Sequence, residues 1–296
     1  MNPGASMQIR MPEQPQKHPA QQGRAFARHV ARAAIHALYD EVMIAPKPGL
    51  VTRIDSGSHR DMDASTFVRS LFSLRHYFAQ IARCGQHDAP FAVLQGVGVA
   101  AERRMLAATR GVNTHRGAIF NLGLLAAAAG KLHARGVPLN AQAICDTVGR
   151  AYGADILASA AAAPPSHGRE AAARYGITGA RDAAAGGYRV LCQVAVPTLQ
   201  RYTGAGCPRS VAAVQTLFAV MEVLDDTNVF HRGGRDGMDF VKQASRAFLA
   251  AGGVRAPHWH HRAAAIHRAF VERNLSPGGA ADMLAAALFV DELRGI

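Results

Sequence analysis

The stretch AIFNLGLLAAAAGKL, Ala118 to Leu132, is apolar on almost every side of a helical wheel. A helix with no polar face has to be surrounded by other elements, so this one belongs at the centre of the fold. Its alanines set the kind of surroundings. Alanine is the best helix former and a poor strand former, and its small side chain lets helices approach closely. Only 6% of the residues are aromatic, which also favours closely packed helices. The flanking chain agrees. Phe26, Val30, Ala34, Leu38 and Val42 recur at every fourth position, and Phe67, Leu71, Leu74, Phe78 and Ile81 at steps of three and four. SVAAVQTLFAVMEVL and ADMLAAALFVDELRG read as further helices. YRVLCQVAVPTLQRY is rich in valine, yet it reads as a helix kinked at Pro197. The expectation is an all-α fold of roughly ten helices, with no hairpin or βαβ signal and no internal repeat.

Residues 1 to about 22 contain MPEQPQKHPAQQG, a composition that predicts a disordered tail. Beyond it no Pro/Gly/Ser linker divides the chain, so residues 23–296 are expected to form one domain. The formal charge of +12, from 33 Lys and Arg against 21 Asp and Glu, suits an anionic partner. Nucleic acid is not expected, because the arginines are scattered and no basic stripe is interleaved with aromatics. No run of 18 apolar residues predicts a membrane span, and the polar N-terminus has no apolar signal core. The four cysteines, Cys84, Cys145, Cys192 and Cys207, form no CxxC pair or disulfide framework. A cytoplasmic setting fits.

Chemistry-bearing residues gather at the joints between helices. In APKPGLVTRIDSGSHRDMD, Pro46 disfavours helix at Ala45, so the helix through Glu41 ends there. Pro48-Gly49 has type II turn chemistry and displays Lys47 on a rigid loop. His59, Arg60 and Asp61 follow a second glycine turn. In GVNTHRGAIF, Asn113 or Thr114 can cap the central helix, which puts His115 and Arg116 at its start. That end disfavours cations by roughly 0.3–1 kcal/mol unless an anion binds there.

In EVLDDTNVFHRGG, Glu222, Asp225 and Asp226 end an apolar helix, where carboxylates are disfavoured. A hard cation such as Mg²⁺ would resolve the mismatch. Arg232-Gly233-Gly234 then offers a guanidinium on a flexible loop, suited to phosphate. In ERNLSPGGAADMLA, Ser276 reads as an N-cap with Pro277 at the first helical position. Gly278 and Gly279 would allow close approach of a phosphate, and Asp282 lies about one turn further in. REAAARYGITGARDAAAGGY adds Arg169, Glu170, Arg174 and Tyr175, with glycines that suggest a bend over the site. HWHH at 258–261, with His267, has no zinc-site spacing and reads as surface histidines near Trp259. Positive groups at some joints and carboxylates at others are what a Mg²⁺–polyphosphate ligand requires.

Five ordered stretches, PKPGLVTRIDSGSHRDMD, GVNTHRGAIF, RYGITGARDAAAGGY, DDTNVFHRGG and NLSPGGAADMLA, resemble the motifs of the triphosphoribosyl-dephospho-CoA synthase family. The resemblance covers roughly residues 24–295, and the arginine in NTHRG is closer to the malonate decarboxylase branch than to the citrate lyase branch. It implies a transferase that takes ATP and 3′-dephospho-CoA to 2′-(5″-triphosphoribosyl)-3′-dephospho-CoA and adenine. A phosphoribosyl-dephospho-CoA transferase and an acyl-carrier subunit would receive the product, and a homodimer is compatible with the resemblance. A β-linked base replaced by an α-linked sugar means inversion through an oxocarbenium-like transition state. Glu41, Asp61 and His59 are then the candidates for proton transfer. Lys47, His115, Arg116, Arg232, Gly233, Ser276, Gly278 and Gly279 are the candidates for holding substrate, and Asp225, Asp226 and Asp282 for Mg²⁺. Two other readings share these features: a Mg²⁺-dependent helical hydrolase of a nucleotide or ADP-ribose, and a basic helical nucleic-acid binder.

Overall fold

The all-round apolar stretch lies in helix α5 (Arg116–Ala134), and every residue from Asn121 to Gly130 is buried. The computed structural model describes residues 19–162 and 174–295. Before α5 come α1 (Pro19–Met43), α2 (Ala64–Leu74), α3 (Tyr77–Gln86) and α4 (Phe91–Ala108). After it come α6 (Ala141–Ala162), α7 (Ala180–Ala185), α8 (Val196–Gly204) and α9 (Arg209–Val223). The chain ends with α10 (Thr227–Ala250), α11 (Trp259–Glu272) and α12 (Gly278–Glu292). Among the described residues there is no strand, and no helix is long and apolar enough to cross a membrane.

α5 packs against α3, α4, α6 and α12, and α12 in turn packs against α1 and α9. The small residues set the spacing. A Cβ on Gly85 of α3 would lie 1.9 Å from the Ala127 carbonyl oxygen of α5, and one on Gly130 would lie 2.1 Å from that of Ala82. The two backbones therefore touch, which larger residues at these positions would prevent. α12 is the second central helix, buried from Met283 to Val290. The first turns of α5 and α12 lie side by side, because a Cβ on Gly117 would fall 1.9 Å from Asp282 Oδ2.

The expected kink at Pro197 takes the form of a π turn, Leu191–Ala195, immediately before the proline. Proline has no N–H for the carbonyl one turn back, and widening the helix absorbs the mismatch. Most of the expected N-terminal tail lies outside the described residues, and its last four residues begin α1. Arg169 and Glu170 also lie outside the described residues.

Candidate active site

Three helix N-termini converge on one cavity of about 170 Å³. Its wall takes Arg116 and Gly117 from the start of α5, Asn228 and Arg232 from α10, and Gly278 and Asp282 from α12. The C-terminal end of α1 adds Glu41, and the loop after it adds Lys47 and His59. Asn113, Thr114, His115 and Ser276 complete the polar lining. The positive dipole ends of three helix starts make such a cavity receptive to anions.

The loop between α1 and α2 forms as its prolines and glycines dictate. Gly49 has φ +68°, and the Leu50 N–H donates to the Lys47 carbonyl at 3.3 Å, closing the expected turn. A side chain at Gly49 is excluded twice, by that φ and by the Leu275 carbonyl oxygen 2.1 Å from its Cβ position. Ser58 Oγ donates to the same carbonyl at 2.7 Å. The loop is thus fastened to the segment before α12. His267 belongs to this fastening as well: its Nδ1 lies 2.9 Å from the Lys47 carbonyl oxygen and its Nε2 lies 3.3 Å from Asp55 Oδ2. His258, His260 and His261 are exposed beside buried Trp259.

Lys47 is not displayed to solvent. It is 1% exposed, and its Nζ donates to both the carboxylate and the carbonyl of Glu41 at 2.5 Å. Burial pushes the Lys47 pKa down, while the Glu41 carboxylate opposes that shift. Asp282 faces the opposite problem. Burial, then repulsion from Glu41 and Asp226, raises its pKa well above the usual carboxylate range. The cavity therefore holds two carboxyl groups in unlike settings, one paired with an ammonium and one favouring its protonated form.

His115 is 3% exposed, with Nδ1 2.6 Å from Ser70 Oγ and the Phe67 ring edge-on at 4.9 Å. Burial, then the charge of Lys47, pushes its pKa down to about 3, so it is neutral at ordinary pH. Asn113 supplies the cap of α5, its Oδ1 accepting from the Arg116 N–H at 3.2 Å. Arg116 lies at the open rim, its guanidinium 2.6 Å from Glu102 Oε1.

Arg232 is a clasp. It donates to the Ser58 carbonyl at 3.0 Å, to Asn274 Oδ1 at 2.8 Å and to His59 Nδ1 at 3.3 Å. Because arginine only donates, Nδ1 must accept; neutral His59 then carries its proton on Nε2, 2.9 Å from Ser276 Oγ. Burial and Arg232 both lower the His59 pKa. Both imidazole nitrogens are engaged, so His59 links Arg232 to Ser276 and has no free lone pair to act as a base. Arg232-Gly233-Gly234 is not a flexible loop but part of α10, which is kinked at Gly234 (φ +63°).

Several expected site residues do not reach the cavity wall. Asp61 lies at the surface, its side chain 63% exposed and 3.9 Å from His59 Nδ1. A Cβ on Gly233 would meet Leu275 Cδ2 at 2.5 Å, so this glycine makes room for a leucine. Gly279 makes room for the Asp226 carboxylate, 3.0 Å from its Cβ position. Gly278 does line the wall, but its Cβ position is occupied by Asn228 Nδ2 at 2.9 Å.

The expected metal ligands separate in the same way. α9 ends at Val223 and α10 begins at Thr227, so Asp226 stands at the start of a helix rather than the end of one. The dipole that would oppose it favours it. Its Oδ1 accepts from the Asn228 N–H and its Oδ2 from the Ala280 N–H, both at 2.9 Å, so one carboxylate caps both α10 and α12. That takes over the capping role expected of Ser276, whose hydroxyl is turned to His59 instead. Asp225 pairs with Lys242 at 2.6 Å. Among the described residues, no three His, Cys, Asp or Glu side chains gather as a metal-binding group, and Asp225, Asp226 and Asp282 do not fit a resident Mg²⁺.

Ser70 and Asn228 were not anticipated, and Thr114 was expected only as a possible helix cap. Ser70 lies on the buried face of an ordinary amphipathic helix, and nothing local signals its bond to a residue 45 positions away.

The sequence profile of the family described as ATP:dephospho-CoA triphosphoribosyl transferase matches residues 27–296. A probable 2-(5″-triphosphoribosyl)-3′-dephosphocoenzyme-A synthase of Acinetobacter calcoaceticus is 42% identical, covering 86% of this chain and 87% of its own length. The 2-(5″-triphosphoribosyl)-3′-dephosphocoenzyme-A synthase of Pectobacterium atrosepticum is 41% identical over 84% of each chain. A probable synthase of the same description from Vibrio cholerae is 34% identical over 96% of this chain and 94% of its own. No solved structure matches. On the match along residues 27–296 and these relatives, the chain belongs to the ATP:dephospho-CoA triphosphoribosyl transferase family.

Proposed function

We propose that this transferase moves the 5-triphosphoribosyl group of ATP to the 2′-hydroxyl of 3′-dephospho-CoA and releases adenine. The observation that carries this reading is the convergence of three helix N-termini on a cavity that also holds Glu41, Lys47 and Asp282. In the reaction the bond from the ribose anomeric carbon to the adenine nitrogen breaks. A bond from the 2′-oxygen to that carbon forms, and the hydroxyl proton is lost while adenine gains one. Helix N-termini, with Arg116 at the rim and Lys47 beneath, are suited to hold the triphosphate. Mg²⁺ enters as the counter-ion of ATP, with no resident site assigned to it.

A carboxyl group that favours its protonated form, beside another paired with an ammonium, suits acid and base roles on opposite faces of a sugar. Asp282 is assigned to donate a proton to the departing adenine. Glu41 is assigned to take the hydroxyl proton and to face the positive charge developing on the ribose. The arginine of NTHRG favours malonate decarboxylase as the destination of the product, handed to a phosphoribosyl-dephospho-CoA transferase and its acyl-carrier subunit.

Incubation with Mg-ATP, with and without dephospho-CoA, tests the reaction by nucleobase analysis. Adenine is expected only when both substrates are present. Accumulation of ADP or AMP without adenine would refute the transfer, and a free sugar phosphate without dephospho-CoA would favour the hydrolase reading.

A further inference from the structure

Two polar groups beside the cavity have no partner. His115 Nε2 and Thr114 Oγ1 are shielded from solvent and make no hydrogen bond, and both residues form part of the cavity wall. A buried polar group left unsatisfied is unfavourable, so two on adjacent residues call for a ligand. Neither group supplies charge. The imidazole is neutral, since burial and Lys47 both oppose its protonation, and the other group is a hydroxyl.

His115 can take either tautomer, because Ser70 Oγ can donate to Nδ1 or accept from it. If Ser70 Oγ donates to Nδ1, Nε2 carries the proton and must donate; if Ser70 accepts, Nε2 must accept. A hydroxyl answers either state, because it both donates and accepts. A phosphate oxygen only accepts, and a cationic group only donates. Two neighbouring neutral groups that can each pair with a hydroxyl in either state match two neighbouring hydroxyls on the ligand.

We propose that Thr114 and His115 form a subsite that reads the vicinal hydroxyls of a ribose, with Ser70 as the positioning residue that orients the imidazole. The inference rests on the nucleotide reading above and adds a sugar specificity to it. Both substrates of that reaction carry a ribose diol. ATP is the favoured source, because the same wall begins the helix whose N-terminus, with Arg116, suits the triphosphate.

The test compares ATP with 2′-deoxy-ATP and 3′-deoxy-ATP, using the whole protein, by kcat/KM for adenine release with dephospho-CoA and by ligand-induced shift in Tm. A second arm replaces dephospho-CoA with its 3′-deoxy analogue. Loss of a read hydroxyl should lower kcat/KM about tenfold to a hundredfold and shrink the Tm shift. Thr114→Val and Ser70→Ala should reduce that discrimination to about threefold while ATP itself is still bound. A penalty in the ATP arm assigns the diol to ATP, and a penalty confined to the second arm assigns it to dephospho-CoA. If every deoxy analogue behaves like its parent in the wild-type protein, the wall holds only an ordered water and the proposal is overturned. If adenine is never released, the transfer reaction fails, and the Tm shifts of ATP against its deoxy analogues still decide the subsite. No variant is needed for that comparison, so a misfolded mutant leaves it intact.

Discussion

Replacing Asp226 separates a structural role from a metal-binding one. Its two oxygens accept from the Asn228 and Ala280 N–H groups at 2.9 Å, at the starts of two helices. The side chain is 2% exposed, so water cannot replace it. Hydrogen bonds to a charged group contribute about 1.5–3 kcal/mol each. Asp226→Ala removes both and is expected to destabilise the fold by about 3–5 kcal/mol, within the range set by that figure and by cap deletions of ~1 kcal/mol. At roughly 2–4 °C per kcal/mol for a domain of this size, Tm should fall by about 6–20 °C. Asp226→Asn keeps one accepting oxygen but turns an amide donor toward a backbone N–H, so it should lose about half as much. The assay is thermal melting of both variants in EDTA and in Mg²⁺, with circular dichroism as the probe. The capping account requires the same loss in both buffers. A metal-free melting temperature within about 1 °C of wild type, with a Mg²⁺-dependent shift abolished in the variants, would refute it.

Two further outcomes follow from the cavity's charged groups. Lys47→Met leaves the buried Glu41 carboxylate unpaired and should be destabilising by about 3–5 kcal/mol in urea denaturation, whereas Lys47→Met with Glu41→Gln should recover most of the loss; a single variant within 1 kcal/mol of wild type would contradict the burial argument. Asp282 has a folded pKa raised above its unfolded value, so the native state binds its proton more tightly and its contribution to stability falls as pH rises from the unfolded value through the folded one. Asp282→Asn cannot ionise, and relative to wild type it should gain stability as pH rises above the ordinary carboxylate range; parallel stability curves across that rise would show that the carboxyl is not perturbed.

The helical class and the central place of the 118–132 stretch were legible in the sequence, because they depend on local propensity and on the absence of a polar face. So was the Lys47–Leu50 turn, which a proline and a glycine with positive φ set up between neighbours. The five motifs also pointed to the right family, and of the candidate site residues, Glu41, Lys47, His59, His115, Arg116, Arg232, Ser276, Gly278 and Asp282 line the cavity. What each polar group does was decided by contacts between residues far apart in the chain. Asp226 looked like a carboxylate opposing a helix end, but it caps the next helix and α12, whose Ala280 is 54 positions away. His59 looked like a free base, but Arg232 and Ser276, 173 and 217 positions away, occupy its two nitrogens. Lys47 looked displayed, but packing leaves it 1% exposed against Glu41. Backbone preference acts over a few residues and is written along the chain, whereas hydrogen-bond partners and desolvation exist only once distant segments share a cavity.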